Sequence, residues 1–275
     1  MITANHPNSF LDAVIIGSVF KRPVHYLARG DAFTKSWHSR LLRLLNMIPV
    51  YRLSEGKENL SLNEDAFARS KEVLSQNGIV LIFIEGVSKQ THELQAFKKG
   101  AARIALDSKE LENFRVIPLG IAYNSFDKFG KRVTINIGEP RGVKTLLLFD
   151  EEAKNMRHFN STMYEKIERL VIMPTRKKNR SIWPILLIPS LAGFILHVAL
   201  YTILKKAIWK KTAGTVFFDS VLFGSLLILY PIYLVLVGIF LRLMQIPALL
   251  LFCILLAHPL TAWCAVWWKA KNRAN

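Results

Sequence analysis

The sequence predicts an α/β domain, a mixed, mostly parallel sheet flanked by helices, followed by a C-terminal hydrophobic helical membrane region. Charge is the first observation behind this division. Residues 1–180 carry 29 Lys and Arg against 19 Asp and Glu, whereas residues 181–275 carry 8 against 1 and are otherwise almost entirely apolar. Periodicity is the second. Across the first part, short β-branched runs alternate with longer helical patterns, the signature of strands and helices layered on one sheet. An apolar fraction of 51% excludes a disordered chain.

The elements follow in order. Strands are expected at residues 24–28, 49–51, 79–83, 115–122 and 133–137, and helices at 11–20, 36–46, 62–76, 97–107 and 151–172. The helix at 62–76 shows how such spans are read: Leu62, Ala66, Phe67, Val73 and Leu74 recur at helical spacing, and Asn77-Gly78 closes the run. Ahead of these lies Met1-Ile2-Thr3-Ala4, a stub of strand, so a longer lead-in upstream is expected. The expected domains are residues 1–175, catalytic, and 176–275, membrane-embedded.

The second domain opens with the basic joint Arg176-Lys177-Lys178-Asn179-Arg180. Apolar stretches at 182–204, 216–241 and 248–268 then each reach the ~20 residues needed to cross a bilayer core. Trp183, Trp209, Trp263, Trp267 and Trp268 cluster near their ends, as interface-seeking aromatics do. Basic clusters flank the first stretch on both sides, and Pro184, Pro189 and Gly193 interrupt it. A re-entrant or interfacial hairpin is therefore expected there, with the next two stretches as ordinary spans. Cys253 and Cys264 fall in one apolar helix roughly 16 Å apart, too far for a disulfide, so both are expected as free thiols.

A net charge of +17 favours anionic partners, and a membrane-bound chain meets anionic lipid first. No aromatic-basic motif supports nucleic acid as a partner. The sequence also lacks a Cys/His cluster for zinc, a Gly-x-Ser-x-Gly elbow and a nucleotide-type phosphate loop. No metal and no cofactor are expected.

One string can carry chemistry: Asn5-His6-Pro7-Asn8-Ser9-Phe10-Leu11-Asp12. A His followed by an Asp just inside the next helix can form a base and its orienting carboxylate, which frees the second ring nitrogen to take a hydroxyl proton. Strand, turn and helix start place the pair at the carboxyl edge of a parallel sheet, where ligand sites of such folds lie. Six steps along a helix would point the two side chains roughly 120° apart, so the turn must absorb the extra residue.

This string resembles the first block of the glycerolipid acyltransferase family, the glycerol-3-phosphate and lysophosphatidate acyltransferases. That block usually has four residues between His and Asp; here there are five. Ile48-Pro49-Val50-Tyr51-Arg52 is similar to the second block, and the resemblance implies that Arg52 contacts the acceptor's phosphate. Phe83-Ile84-Glu85-Gly86-Val87-Ser88 is similar to the third, normally Phe-Pro-Glu-Gly-Thr-Arg-Ser, with Ile84 in place of Pro and the Arg missing. Phe97-Lys98-Lys99-Gly100-Ala101-Ala102 matches the helix start that follows it. Val116-Ile117-Pro118-Leu119 resembles the fourth block, a strand assigned to the acyl chain. The blocks occur in the family's order within residues 1–140.

The resemblance implies His6 and Asp12 as catalytic residues and Arg52, Glu85, Gly86, Ser88 and Lys98 as substrate-binding residues. It implies a membrane-bound O-acyltransferase of phospholipid biosynthesis. An acyl group would pass from acyl-CoA or an acyl carrier protein to glycerol-3-phosphate or a lysophospholipid such as lysophosphatidate. The expected placement is an integral membrane protein with its catalytic domain on the cytoplasmic face. The altered spacing and third block leave one rival, a catalytically silent relative that binds anionic lipid or a partner protein.

Overall fold

A computed structural model describes residues 1–51, 61–175 and 185–272. The chain divides into two compact units, one of Met1–Tyr123 with Val133–Met173, the other of Asn124–Arg132 with Pro174–Asn275. The segment Asn124–Arg132 thus goes with the C-terminal helices, which the sequence division at residue 175 does not anticipate.

In the first unit the elements run β1 Ile2–Ala4, α1 Phe10–Val19, β2 Val24–Arg29, α2 Ser36–Leu44, β3 Met47–Val50, α3 Asn63–Ser75, β4 Ile79–Phe83, α4 Gly100–Asp107, β5 Arg115–Tyr123, β6 Val133–Ile137, β7 Arg141–Gly142 and α5 Glu152–Leu170. The sheet order is β3-β2-β4-β1-β5-β6, with β7 also pairing β5. β1 lies parallel between β4 and β5, and β2 lies parallel between β3 and β4. Only β6 and β7 run antiparallel, both against β5. The sheet is mixed and mostly parallel, as the alternation of patterns predicts.

The three-residue stub is the centre of that sheet. Ile2, Thr3 and Ala4 are all buried, the pattern of a parallel strand covered on both faces. Registers Ala4↔Phe83 and Ala4↔Leu119 bring the carboxyl ends of β1, β4 and β5 to one edge. The apolar core joins Val80 and Ile82 of β4, Phe67 of α3, Ile104 of α4, and Phe159 and Met163 of α5. Several boundaries differ from expectation by one to three residues, most in α4, which starts at Gly100 rather than residue 97. Lys98 is still in the loop, its N–H donating to the Ile84 carbonyl at 2.8 Å, so that turn cannot enter the helix.

The second unit holds α6 Leu187–Thr212, α7 Phe218–Leu243 and α8 Ala248–Asn272. All three are long and apolar enough to cross a membrane. The expected hairpin in the first stretch is not there: α6 is one continuous helix of 26 residues, roughly 39 Å long. Pro189 sits in its first turn, where the missing N–H has no helical partner to lose. Gly193 is a packing residue and not a break, since a Cβ there would lie 1.9 Å from the Thr261 carbonyl oxygen of α8. Pro184 lies outside the described residues.

Hydrogen bonds tie these helices. The Ser190 hydroxyl donates to the Cys264 carbonyl at 3.0 Å, the Tyr233 hydroxyl to the Leu196 carbonyl at 2.9 Å, and His197 Nε2 meets the Tyr230 hydroxyl at 3.1 Å. Such bonds hold apolar helices together where lipid supplies no hydrophobic drive. Lys131 of the 124–132 segment forms an ion pair with Asp219 in the first turn of α7, with both side chains nearly buried. Cys253 and Cys264 are free thiols.

Candidate active site

His6 lies two residues beyond β1, and Asp12 is the third residue of α1. His6 Nδ1 and Asp12 Oδ2 are 2.9 Å apart. The turn between them absorbs the six-residue separation through Ser9, which sits at φ 52°, ψ −141°. That conformation is costly for a residue with a Cβ, on the order of 1–3 kcal/mol. Two contacts hold it: the Ser9 N–H donates to Ser88 Oγ at 2.8 Å, and the Ser9 carbonyl accepts from the Asp12 N–H at 3.1 Å.

Asp12 is fully buried and both of its oxygens are engaged. Oδ2 takes the His6 ring and the Asn8 N–H at 2.7 Å, while Oδ1 takes the Tyr123 hydroxyl at 2.6 Å. A carboxylate near a helix N-terminus also gains from the helix dipole. Because Asp12 only accepts, it fixes the proton of neutral His6 on Nδ1 and leaves a lone pair on Nε2. The His6 ring stacks on Phe83, with centroids 3.8 Å apart and planes 11° from parallel. The His6 side chain is 16% exposed.

The third block closes on this pair from the end of β4. Glu85 is buried, and both of its oxygens receive backbone N–H groups, from His6 and from Gln95, each at 3.1 Å. Burial pushes its carboxyl above the usual range, against the backbone N–H donors of Gln95 and His6, which pull it back. Glu85 therefore builds the loop that carries His6. Gly86 turns that loop at φ 66°, and a Cβ on it would lie 2.8 Å from Lys98 Cγ, so the Lys98 stem runs over the glycine. Ser88 is taken up by Ser9, with its own hydroxyl proton still available to donate. The structure thus brings His6, Asp12, Glu85, Gly86, Ser88 and Lys98 into one cluster of contacts. Arg52 lies outside the described residues.

Sequence reasoning missed the residues that hold this cluster. Asn5 brackets the β5 backbone, its Nδ2 donating to the Ile121 carbonyl at 2.9 Å and its Oδ1 accepting the Ile121 N–H at 2.8 Å. Tyr123, also fully buried, follows two residues on. Its backbone N–H points at His92 Nε2 at 3.3 Å. Only the strand register, which places the end of β5 beside the end of β1, gives a signal for Tyr123. Among the described residues no group of three or more His, Cys, Asp or Glu could hold a metal ion.

A family profile described as Acyltransferase matches residues 1–122. A solved structure similar to this chain is the 1-acyl-sn-glycerophosphate (LPA) acyltransferase PlsC of Thermotoga maritima. The TM-score is 0.42 at 20% identity, over 64% of this chain and 67% of that one. No curated protein matches the chain.

Proposed function

We propose that the chain, whose residues 1–122 match a family profile described as Acyltransferase, moves a fatty acyl group from a thioester to glycerol-3-phosphate or a lysophospholipid. The observation that carries this reading is the His6–Asp12 pair at 2.9 Å through Nδ1, on a side chain that is not fully buried. In the proposed reaction Nε2 takes the proton of the acceptor hydroxyl as its oxygen attacks the thioester carbonyl carbon. The tetrahedral intermediate collapses, the carbon–sulfur bond breaks, and the leaving thiolate takes the proton back from the imidazolium. The products are an ester and a free thiol, and no covalent enzyme intermediate is required.

Asp12 stabilises the imidazolium formed in the first step. Arg52 is proposed to hold the acceptor's phosphate, because its planar fork makes bidentate bonds to phosphate oxygens. The Lys98 ammonium and the Ser88 hydroxyl proton are the other donors of the cluster available to an anionic acceptor. Holding both substrates against one base supplies several kcal/mol of barrier lowering. The donor carrier, coenzyme A or acyl carrier protein, is anionic and suits a chain of net charge +17.

The three apolar helices support a membrane location, suited to a lipid product that partitions there. The basic joint at residues 176–180 supports a cytoplasmic catalytic domain, since Lys and Arg favour that side. The test is transfer from a labelled acyl thioester to glycerol-3-phosphate and to lysophosphatidate, using membranes that contain the full chain. Product is expected with wild type, and His6→Ala should lose on the order of 10²–10⁴-fold. Absence of product above the His6→Ala background with either acceptor establishes the silent, lipid-binding alternative instead.

A further inference from the structure

We infer that Tyr123 is a positioning residue of the reaction, acting through Asp12 as the third member of a His6–Asp12–Tyr123 relay. The inference rests on the reading of His6 as general base. Asp12 is closed off from solvent, so no bulk water can satisfy a lone pair left open. Oδ2 already serves His6 and Asn8. Oδ1 faces the Tyr123 hydroxyl, which donates at 2.6 Å, a length typical of a bond to an ionised acceptor. Without that donor the carboxylate loses one of the three contacts that fix its rotation about Cβ–Cγ, the one on Oδ1. Both the aim of His6 and the proton position on its ring depend on that rotation.

The fold pre-sets this third contact. β5 runs parallel to β1 with Ala4 opposite Leu119, and Asn5 clamps Ile121 by two hydrogen bonds just beyond. Counting from that clamp, His6 is one residue further on its chain and Tyr123 two on the other. The Tyr123 ring is fully buried, and its own N–H is engaged by His92. Backbone and ring are both held, so the hydroxyl needs no reorganisation to meet Asp12 during turnover.

Tyr123→Phe removes the hydroxyl and keeps the ring's packing. A hydrogen bond to a charged group is worth enough to predict a fall in kcat of about tenfold to a hundredfold. KM for both substrates should stay at wild-type values, while the thermal melting of the detergent-solubilised chain should fall, because the buried Asp12 oxygen loses its donor. On an Asp12→Asn background, where the carboxylate charge is already gone, the same substitution should cost less than about threefold, the non-additivity expected of residues acting as one unit. 3-Fluorotyrosine at position 123, which keeps both ring and hydroxyl, should restore most of the activity. A Tyr123→Phe enzyme with wild-type kcat overturns the inference, as does an undiminished effect on the Asp12→Asn background. Failure of the parent reading looks different, because His6→Ala would then retain activity.

Discussion

Replacing Asp12 by Asn separates what its charge does from what its shape does. The amide can satisfy every neighbour. With Oδ1 of the new Asn at the position of the present Oδ2, it accepts from His6 Nδ1 and the Asn8 N–H, now at 2.9 Å and 2.7 Å. Its NH₂ then meets the Tyr123 oxygen, and the tyrosine hydroxyl rotates from donor to acceptor, an exchange its chemistry permits. The fold and the proton on Nδ1 are thus retained, and what vanishes is the attraction between carboxylate and imidazolium. With charge centres ~4 Å apart and an effective dielectric of ~20, that attraction is about 4 kcal/mol, or roughly a thousandfold in rate. The assay is acyl transfer at saturating donor and acceptor, beside a melting curve of the same preparation. A loss of kcat near a thousandfold with unchanged melting is expected. An Asp12→Asn enzyme within about threefold of wild type would refute the idea that His6 gathers positive charge in the transition state.

Arg52→Lys should raise KM for the phosphorylated acceptor more than for the acyl donor, because an ammonium cannot reproduce a bidentate phosphate contact; equal losses for both substrates would make Arg52 structural. Gly193→Ala puts a Cβ 1.9 Å from a backbone oxygen of α8 and should lower the melting temperature in detergent, an overpacking cost of about 1–3 kcal/mol, whereas Gly224→Ala, with open space around it, should not. Glu85 gives a pH dependence: its folded-state carboxyl is raised by burial, so the folded state binds its proton more tightly than the unfolded chain. Stability should therefore fall as pH rises from the ordinary carboxylate value through the raised one, then level off, and melting curves of Glu85→Gln across that range should lose this slope.

The sheet and its flanking helices were legible because parallel strands buried on both faces write a continuous apolar run, as Ile79–Phe83 does, and because helices such as Asn63–Ser75 keep their 3.6-residue period. The limits of that reading show in α6. Pro189 and Gly193 look like breaks in a string of letters, yet position in the helix decides what they do. Pro189 falls in the first turn, and Gly193 falls where a neighbouring backbone needs the room. The site divides in the same way. His6 and Asp12 are six residues apart and visible together, but Tyr123 is 111 residues from Asp12 and joins it only through strand order.

The third block shows what a motif's residues do in the fold besides any contact with substrate. The resemblance implies Glu85, Gly86 and Ser88 as substrate-binding residues. In the fold, Glu85 spends both oxygens on backbone N–H groups, one of them belonging to His6 itself. Ser88 spends an acceptor on Ser9, the residue whose positive φ lets Asp12 reach back to the histidine. Gly86 gives passage to the stem of Lys98. Each of these residues acts on the geometry of the base before it can act on a substrate. This loop, which holds His6, lacks the arginine that usually follows in that block and offers the Ser88 hydroxyl proton toward a phosphate. In the proposed function, recognition of an anionic acceptor therefore falls mainly to Arg52 and the Lys98 ammonium. On this account substitutions at Glu85 should depress kcat with both acceptors alike, whereas Arg52 substitutions should discriminate between acceptor and donor.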